Sequence, residues 1–131
     1  MQQAFVILVL EDNEQARFVI RAMLENAGYG VVEAASEPDA FAVCERAEQK
    51  IDLLVSDVIL SSASGTAAAQ RISALRPGLP ILFISGYSVE DLIGRGLLDA
   101  DRFPSTRVSF LQKPFKPQLF LDRIEKLIAD P

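Results

Sequence analysis

The chain predicts an open, mostly parallel α/β sheet in a single domain spanning residues 1–131. Three observations carry that prediction. Short apolar runs alternate with longer amphipathic stretches along the whole chain. The clearest runs are apolar on both faces and rich in β-branched residues, as strands covered by helices on each side must be. The runs also end abruptly on polar residues, at the strand ends where such sheets hold ligands.

The elements follow in order. Phe5-Val6-Ile7-Leu8-Val9-Leu10 reads as a buried parallel strand ended by Glu11-Asp12-Asn13. Ala16, Val19, Ile20, Met23, Leu24 and Ala27 follow at helical spacing, and Gly28 stops that helix. Val31-Val32 makes a short second strand. Pro38 opens a second helix with Ser36 as its cap, and Ala40, Phe41, Val43, Cys44 and Ala47 mark its face. Ile51 to Ser56 reads as the third strand, ending at Asp57. A loop from Ser61 to Gly65 leads to a third helix with Ala68, Ile72 and Leu75, broken by Pro77-Gly78. Ile81-Leu82-Phe83-Ile84 is the fourth strand and stops at Ser85-Gly86. Ser88 to Arg107 is the least regular stretch. Leu92, Ile93, Leu97 and Leu98 predict a helix there, although Gly94 and Gly96 each weaken it by about 1 kcal/mol relative to Ala. Val108 to Leu111 is the fifth strand, broken by Lys113-Pro114. The last helix runs from about Gln118 to Ala129.

Composition narrows the function classes. Half the residues are hydrophobic and 24% are charged, as in ordinary globular chains. The net charge is −5 with no Lys/Arg cluster, which argues against a nucleic-acid partner. The longest apolar run, Ala4 to Leu10, is far short of the ~20 residues of a membrane span, and Met1-Gln2-Gln3 lacks the basic start of a secretion signal. A cytoplasmic protein is expected, with no membrane partner. The lone Cys44 excludes an internal disulfide, fits a reducing compartment, and reads as an inert core residue. With no histidine, the chain has no histidine base, metal ligand or phosphate carrier.

The polar residues at the strand ends carry the chemistry. Glu11 and Asp12 follow the first strand, Asp57 the third, Ser85 the fourth and Lys113 the fifth. The fold brings them to one rim. Three carboxylates at close quarters need a cation, most simply Mg2+, which takes hard oxygen ligands. A lysine and a hydroxyl beside a metal-bound carboxylate form a site for a tetrahedral anion, and the set reads as phosphoryl transfer to a carboxylate.

The pieces Val9-Leu10-Glu11-Asp12, Val55-Ser56-Asp57-Val58, Ile84-Ser85-Gly86-Tyr87 and Phe110-Leu111-Gln112-Lys113-Pro114-Phe115 resemble the receiver domain of bacterial two-component response regulators. The last two are closest in wording to receivers of hybrid histidine kinases or their single-domain relatives. The resemblance implies a flavodoxin-like, doubly wound sheet in the order 2-1-3-4-5 with five helices. It implies that Asp57 accepts a phosphoryl group from a phosphohistidine on a sensor histidine kinase or a histidine phosphotransfer protein. Asp12 and, through water, Glu11 would hold Mg2+ (with Mn2+ as the alternative ion) together with Asp57 and the backbone carbonyl of Ile59. Ser85 would be the switch hydroxyl, Lys113 the partner of the phosphoryl charge, and Phe110 the switch aromatic. Lys113-Pro114 would be a cis peptide. The output would change on the face of the fourth helix, fifth strand and fifth helix, through which a monomer could also pair into a weak homodimer. The glycines near position 95 suggest a soft face there.

Some positions depart from the family pattern. Leu60-Ser61 stands where Met-Pro is frequent, so the loop through Ser64 is expected to be less stiff, while Gly65 keeps the turn. Ser85 replaces the more frequent threonine, and Phe110 lacks the hydroxyl of the tyrosine often found there. The stretch from Asp99 to Arg107 is longer than usual. Tyr87 either touches a partner or covers the loop.

Three functions compete. The first is a phosphorylation-dependent signalling switch, with self-catalysed phosphoryl transfer and autodephosphorylation but no separate enzyme activity. The second is an enzyme, a phosphatase or phosphotransferase using an aspartyl phosphate. Ile59 stands where such an enzyme needs a second acid, so turnover of small phosphoesters is not expected. The third is a docking receiver that works without phosphorylation, or a nucleotide binder, although no glycine-rich phosphate loop follows the first strand. Met1 suits a free-standing regulator, but a domain excised from a hybrid kinase begins the same way.

Overall fold

The computed structural model describes residues 4–60, 65–98 and 107–129. Five parallel strands, β1 (Val6–Leu10), β2 (Gly30–Ala34), β3 (Leu53–Asp57), β4 (Ile81–Ser85) and β5 (Val108–Gln112), form one sheet in the order β2-β1-β3-β4-β5. The helices are α1 (Glu14–Asn26), α2 (Glu37–Glu45), α3 (Gly65–Leu75), α4 (Val89–Gly94) and α5 (Pro117–Ala129). The expected order and alternation therefore hold. The strand order reverses between β1 and β3, so their C-terminal ends open the crevice that such sheets use for ligands.

The strands are apolar on both faces because each face has its own core. Ile7, Val9, Leu53, Val55, Leu82 and Ile84 point to one side, against Ile20 and Leu24 of α1 and Phe120, Ile124 and Leu127 of α5. Leu8, Leu10, Leu54, Ile81 and Phe83 point to the other, against Ala40 and Cys44 of α2, Ala68, Ala69 and Ile72 of α3, and Leu92 of α4. A two-residue side-chain period on strands buried from both sides produces this division. Asn13, Ser36 and Ser88 cap α1, α2 and α4 by accepting the amides of Ala16, Asp39 and Asp91.

Several boundaries differ from the sequence reading. Val31-Val32 is the middle of a five-residue strand, since Gly30 to Ala34 all pair with β1. Asp57 and Ser85 are the last residues of their strands rather than the first of the loops. Val19, expected on the buried face of α1, is 54% exposed beside Phe18. Leu97 and Leu98 lie outside α4. The helix stops because Gly96 takes φ 72°, and the amides of Gly96 and Leu97 turn back to the carbonyls of Ile93 and Leu92. This is a glycine-dependent helix cap, with Leu97 packed onto the same core as Leu92. The expectations for Ser61 to Ser64 and for Asp99 to Ser105 and Thr106 fall outside the described residues. Among the described residues no helix is long and apolar enough to cross a membrane.

Candidate phosphoacceptor site

Glu11 leaves β1 at the switch point with its amide bonded to the carbonyl of Ala34 on the outer strand, 3.1 Å away. Its side chain turns inward and is 1% exposed. One carboxylate oxygen accepts the amide of Asn13 at 3.2 Å. The other accepts the ammonium of Lys113 at 2.8 Å. Asp57 ends β3 with its carboxylate 8% exposed as a residue, one oxygen taking the amide of Ile59 at 3.0 Å and the other the same Lys113 ammonium at 3.0 Å. Lys113 therefore bridges two acids that lie 46 residues apart in sequence.

The placement of Lys113 follows from the end of β5. Ser85 pairs with Gln112, and the Lys113 amide continues the ladder onto the Ser85 carbonyl at 2.7 Å. The Lys113-Pro114 peptide is cis. Ser85 is 1% exposed and its hydroxyl accepts the amide of Tyr87 at 3.1 Å. Tyr87 itself is 42% exposed, with the Arg95 guanidinium 4.6 Å from its ring. Phe110 is half-buried against the core that holds α3 and α4, and its carbonyl accepts from Arg123 of α5 at 2.7 Å.

The charges are unequal. Burial raises the Glu11 carboxyl above the ordinary range; the Lys113 bond opposes this, and the charge of Asp57 adds to it. Burial works to lower Lys113, but its bonds to Glu11 and Asp57 outweigh burial and hold it above the ordinary lysine value. Two buried carboxylates thus share one ammonium, with the half-buried Asp12 beside them.

The sequence reading expected three carboxylates packed together. Among the described residues no three acids gather into a metal cage. Lys113 already supplies a cation between Glu11 and Asp57, and Glu11 spends its second oxygen on Asn13. The donor set nonetheless fits a hard divalent ion. Its atoms are all oxygens, and the two buried acids leave a surplus of negative charge after pairing with one lysine.

The structure adds Arg17, which sequence reasoning missed, and a packing reason for Gly65, which it placed at a turn. Arg17 donates from Nη1 to the Glu11 carbonyl at 2.8 Å and from Nε to Glu33 at 3.2 Å, fixing the acidic loop to α1 and β2. Gly65 donates its amide to Val58 at 2.6 Å, and a Cβ on it would lie 1.7 Å from the Asp57 carbonyl oxygen. The glycine is thus required by a close backbone approach to the end of β3. The Arg17 contacts left no sequence signal, because one acceptor is a backbone carbonyl and the other lies on another strand.

The sheet order agrees with comparison to known proteins. The profile of the response regulator receiver domain matches residues 7–125. The chain belongs to that family, whose members are signalling modules of two-component systems. It is 28% identical over 123 residues to the response regulator receiver protein CpdR of Brucella abortus, covering 94% of this chain and 95% of that protein. It is 29% identical over 122 residues to the sensor kinase CckA of the same organism, covering 93% of this chain but 12% of the kinase. Among solved structures, the receiver domain of the Pseudomonas aeruginosa sensor histidine kinase PA1611 superposes with a TM-score of 0.80 at 26% identity, covering 98% of this chain and 100% of that one. That receiver carries a magnesium ion coordinated in its active-site cleft. The receiver domain of the hybrid histidine kinase CckA matches with a TM-score of 0.75 at 29% identity, over 95% of this chain and 99% of that one.

Proposed function

We propose that this receiver is a phosphorylation-driven switch in which Asp57 accepts a phosphoryl group from a phosphohistidine on a sensor histidine kinase or a histidine phosphotransfer protein. The observation that carries the reading is the Lys113 ammonium held on both Glu11 and Asp57, at 2.8 and 3.0 Å, in the crevice at the switch point. A carboxylate oxygen of Asp57 forms the new O–P bond while the donor's N–P bond breaks, and the electron pair stays on the histidine nitrogen. Attack by a carboxylate oxygen needs no separate base. Lys113 is within reach of the acceptor and meets the charge that arrives with the phosphoryl group. Glu11, Asp12, Asp57 and the Ile59 carbonyl are the groups that would hold Mg2+ or Mn2+. A bound ion would supply charge neutralisation for the transferring group.

After transfer, the new oxygens compete for Lys113 and for the Ser85 hydroxyl, which accepts the Tyr87 amide. Releasing that amide shifts the loop into α4, and Phe110 repacks beside it. The face of α4, β5 and α5 is the output surface, in a cytoplasmic protein acting as a monomer or a weak homodimer. Autodephosphorylation, by water attacking the acyl phosphate, resets it.

Incubation with acetyl phosphate and Mg2+, followed by intact mass measurement, tests the reading. One added phosphoryl group is expected, lost with Asp57→Ala and with EDTA. Absence of any adduct with every donor would leave a docking receiver that works without phosphorylation. Steady phosphate release from many esters would indicate a phosphatase.

A further inference from the structure

Thr66 stands in the first turn of α3 and is 3% exposed. Its Oγ1 donates to the carbonyl of Leu97, 2.9 Å away in space and 31 residues on in the chain. One end of this bond belongs to the acceptor. The preceding residue, Gly65, is bonded to the Val58 carbonyl at 2.6 Å and lies in backbone contact with Asp57. The other end belongs to α4. The Leu97 amide closes the helix cap on the Leu92 carbonyl at 2.9 Å. Arg95 in the same cap lies over the ring of Tyr87, whose amide donates to Ser85. The end of α4 is therefore held from two directions, by the acceptor through α3 and by the switch hydroxyl through Tyr87.

We propose that Thr66 is a positioning residue that ties the Asp57 strand end to the cap of α4, so that occupation of Asp57 is felt at Gly96 and Leu97 without passing through Ser85. The inference rests on Asp57 being the acceptor. Gly65 has no slack against the Asp57 and Val58 backbone, so movement of the acceptor's exit moves the start of α3. Thr66 then either carries Leu97 with it or breaks a part-buried bond to a carbonyl, and the second course leaves the buried Thr66 hydroxyl without that partner. Such a contact passes displacement between elements in steps rather than by continuous bending.

Amide hydrogen exchange on the full chain tests this, with and without Mg2+ and beryllofluoride as the phosphoryl mimic. Binding of the mimic is followed separately by fluorine NMR. In the wild type, the mimic should change exchange at Gly96 and Leu97 by about fivefold, the worth of one hydrogen bond. Thr66→Val keeps the shape and removes the hydroxyl. It should abolish that change while the mimic still binds and the Tyr87 amide still responds. Thr66→Ser should restore it. Should Thr66→Val fail to fold, Thr66→Ala replaces it with the same outcomes. A variant lacking the hydroxyl that responds at Gly96 and Leu97 like the wild type overturns the proposal, as does a wild type that binds the mimic without responding there. If the fluorine spectrum shows no binding to the wild type, the acceptor reading itself has failed.

Discussion

Replacing Gly65 by alanine places one methyl group against backbone that has nowhere to go. The new Cβ would stand 1.7 Å from the Asp57 carbonyl oxygen, 2.8 Å from its carbon and 2.9 Å from the Val58 Cα, where real contacts begin at about 3.0 Å. The first of these must open by more than 1 Å, and none of the three atoms is the end of a side chain that could swing aside. Overpacking of this kind reaches about 3 kcal/mol. Loss of the 2.6 Å bond from the Gly65 amide to Val58 adds about 1 kcal/mol. Gly65→Ala should therefore destabilise the fold by about 3–4 kcal/mol, read from the urea midpoint. Misplacing the acceptor by about 1 Å should also slow phosphorylation by acetyl phosphate about 100-fold. Gly94→Ala is the control. Nothing lies within 4 Å of its Cβ position and it sits in α4, so the same substitution should be neutral or stabilise by up to about 1 kcal/mol. If Gly65→Ala stays within about 0.5 kcal/mol of the wild type and accepts phosphoryl at an unchanged rate, the backbone contact does not hold the acceptor.

Lys113→Met should leave Glu11 and Asp57 facing each other without a cation. Because the Lys113 side chain is 30% exposed, the loss is expected near 1–2 kcal/mol rather than the roughly 3–5 kcal/mol of a fully buried pair. Added Mg2+ should raise the variant's urea midpoint more than the wild type's; an unchanged midpoint for the variant would mean the lysine does not hold the acids. Cys44 is buried, and burial raises its thiol above the ordinary value, with Arg76 opposing. The unfolded thiol thus ionises first, so this contribution to stability is intact at neutral pH and declines as pH climbs past the ordinary thiol range. Cys44→Ala should flatten the decline in urea midpoint above about pH 8.5, and Ellman's reagent should label the wild type rapidly only in urea. Rapid labelling of the folded protein would contradict the burial.

The parts of the fold that could be read in advance are those where burial leaves no choice. β1, β3 and β4 are covered on both faces, so their runs are apolar throughout and their polar ends stand out. That made Glu11, Asp57, Ser85 and Lys113 visible as strand-end residues, and the sheet does bring Glu11, Asp57 and Lys113 into bonding contact. β2 was half visible, because its residues are only partly buried and its length is fixed by pairing to β1. The end of α4 was misread because Leu97 keeps helical spacing with Ile93 yet packs beside Leu92 through a cap rather than another turn. Arg17 and Thr66 reach the site through backbone carbonyls of Glu11 and Leu97. A carbonyl is the same in every residue, so nothing in the sequence marks it as a partner.

Asp57 as the acceptor is tested most directly by trapping. The protein is treated with acetyl phosphate and Mg2+, reduced with borohydride, which converts an acyl phosphate to an alcohol, and mapped by tandem mass spectrometry. Conversion confined to residue 57 and absent after EDTA is expected. Conversion at Asp12, Asp52 or another acid with Asp57 untouched, or at no residue at all, would contradict it.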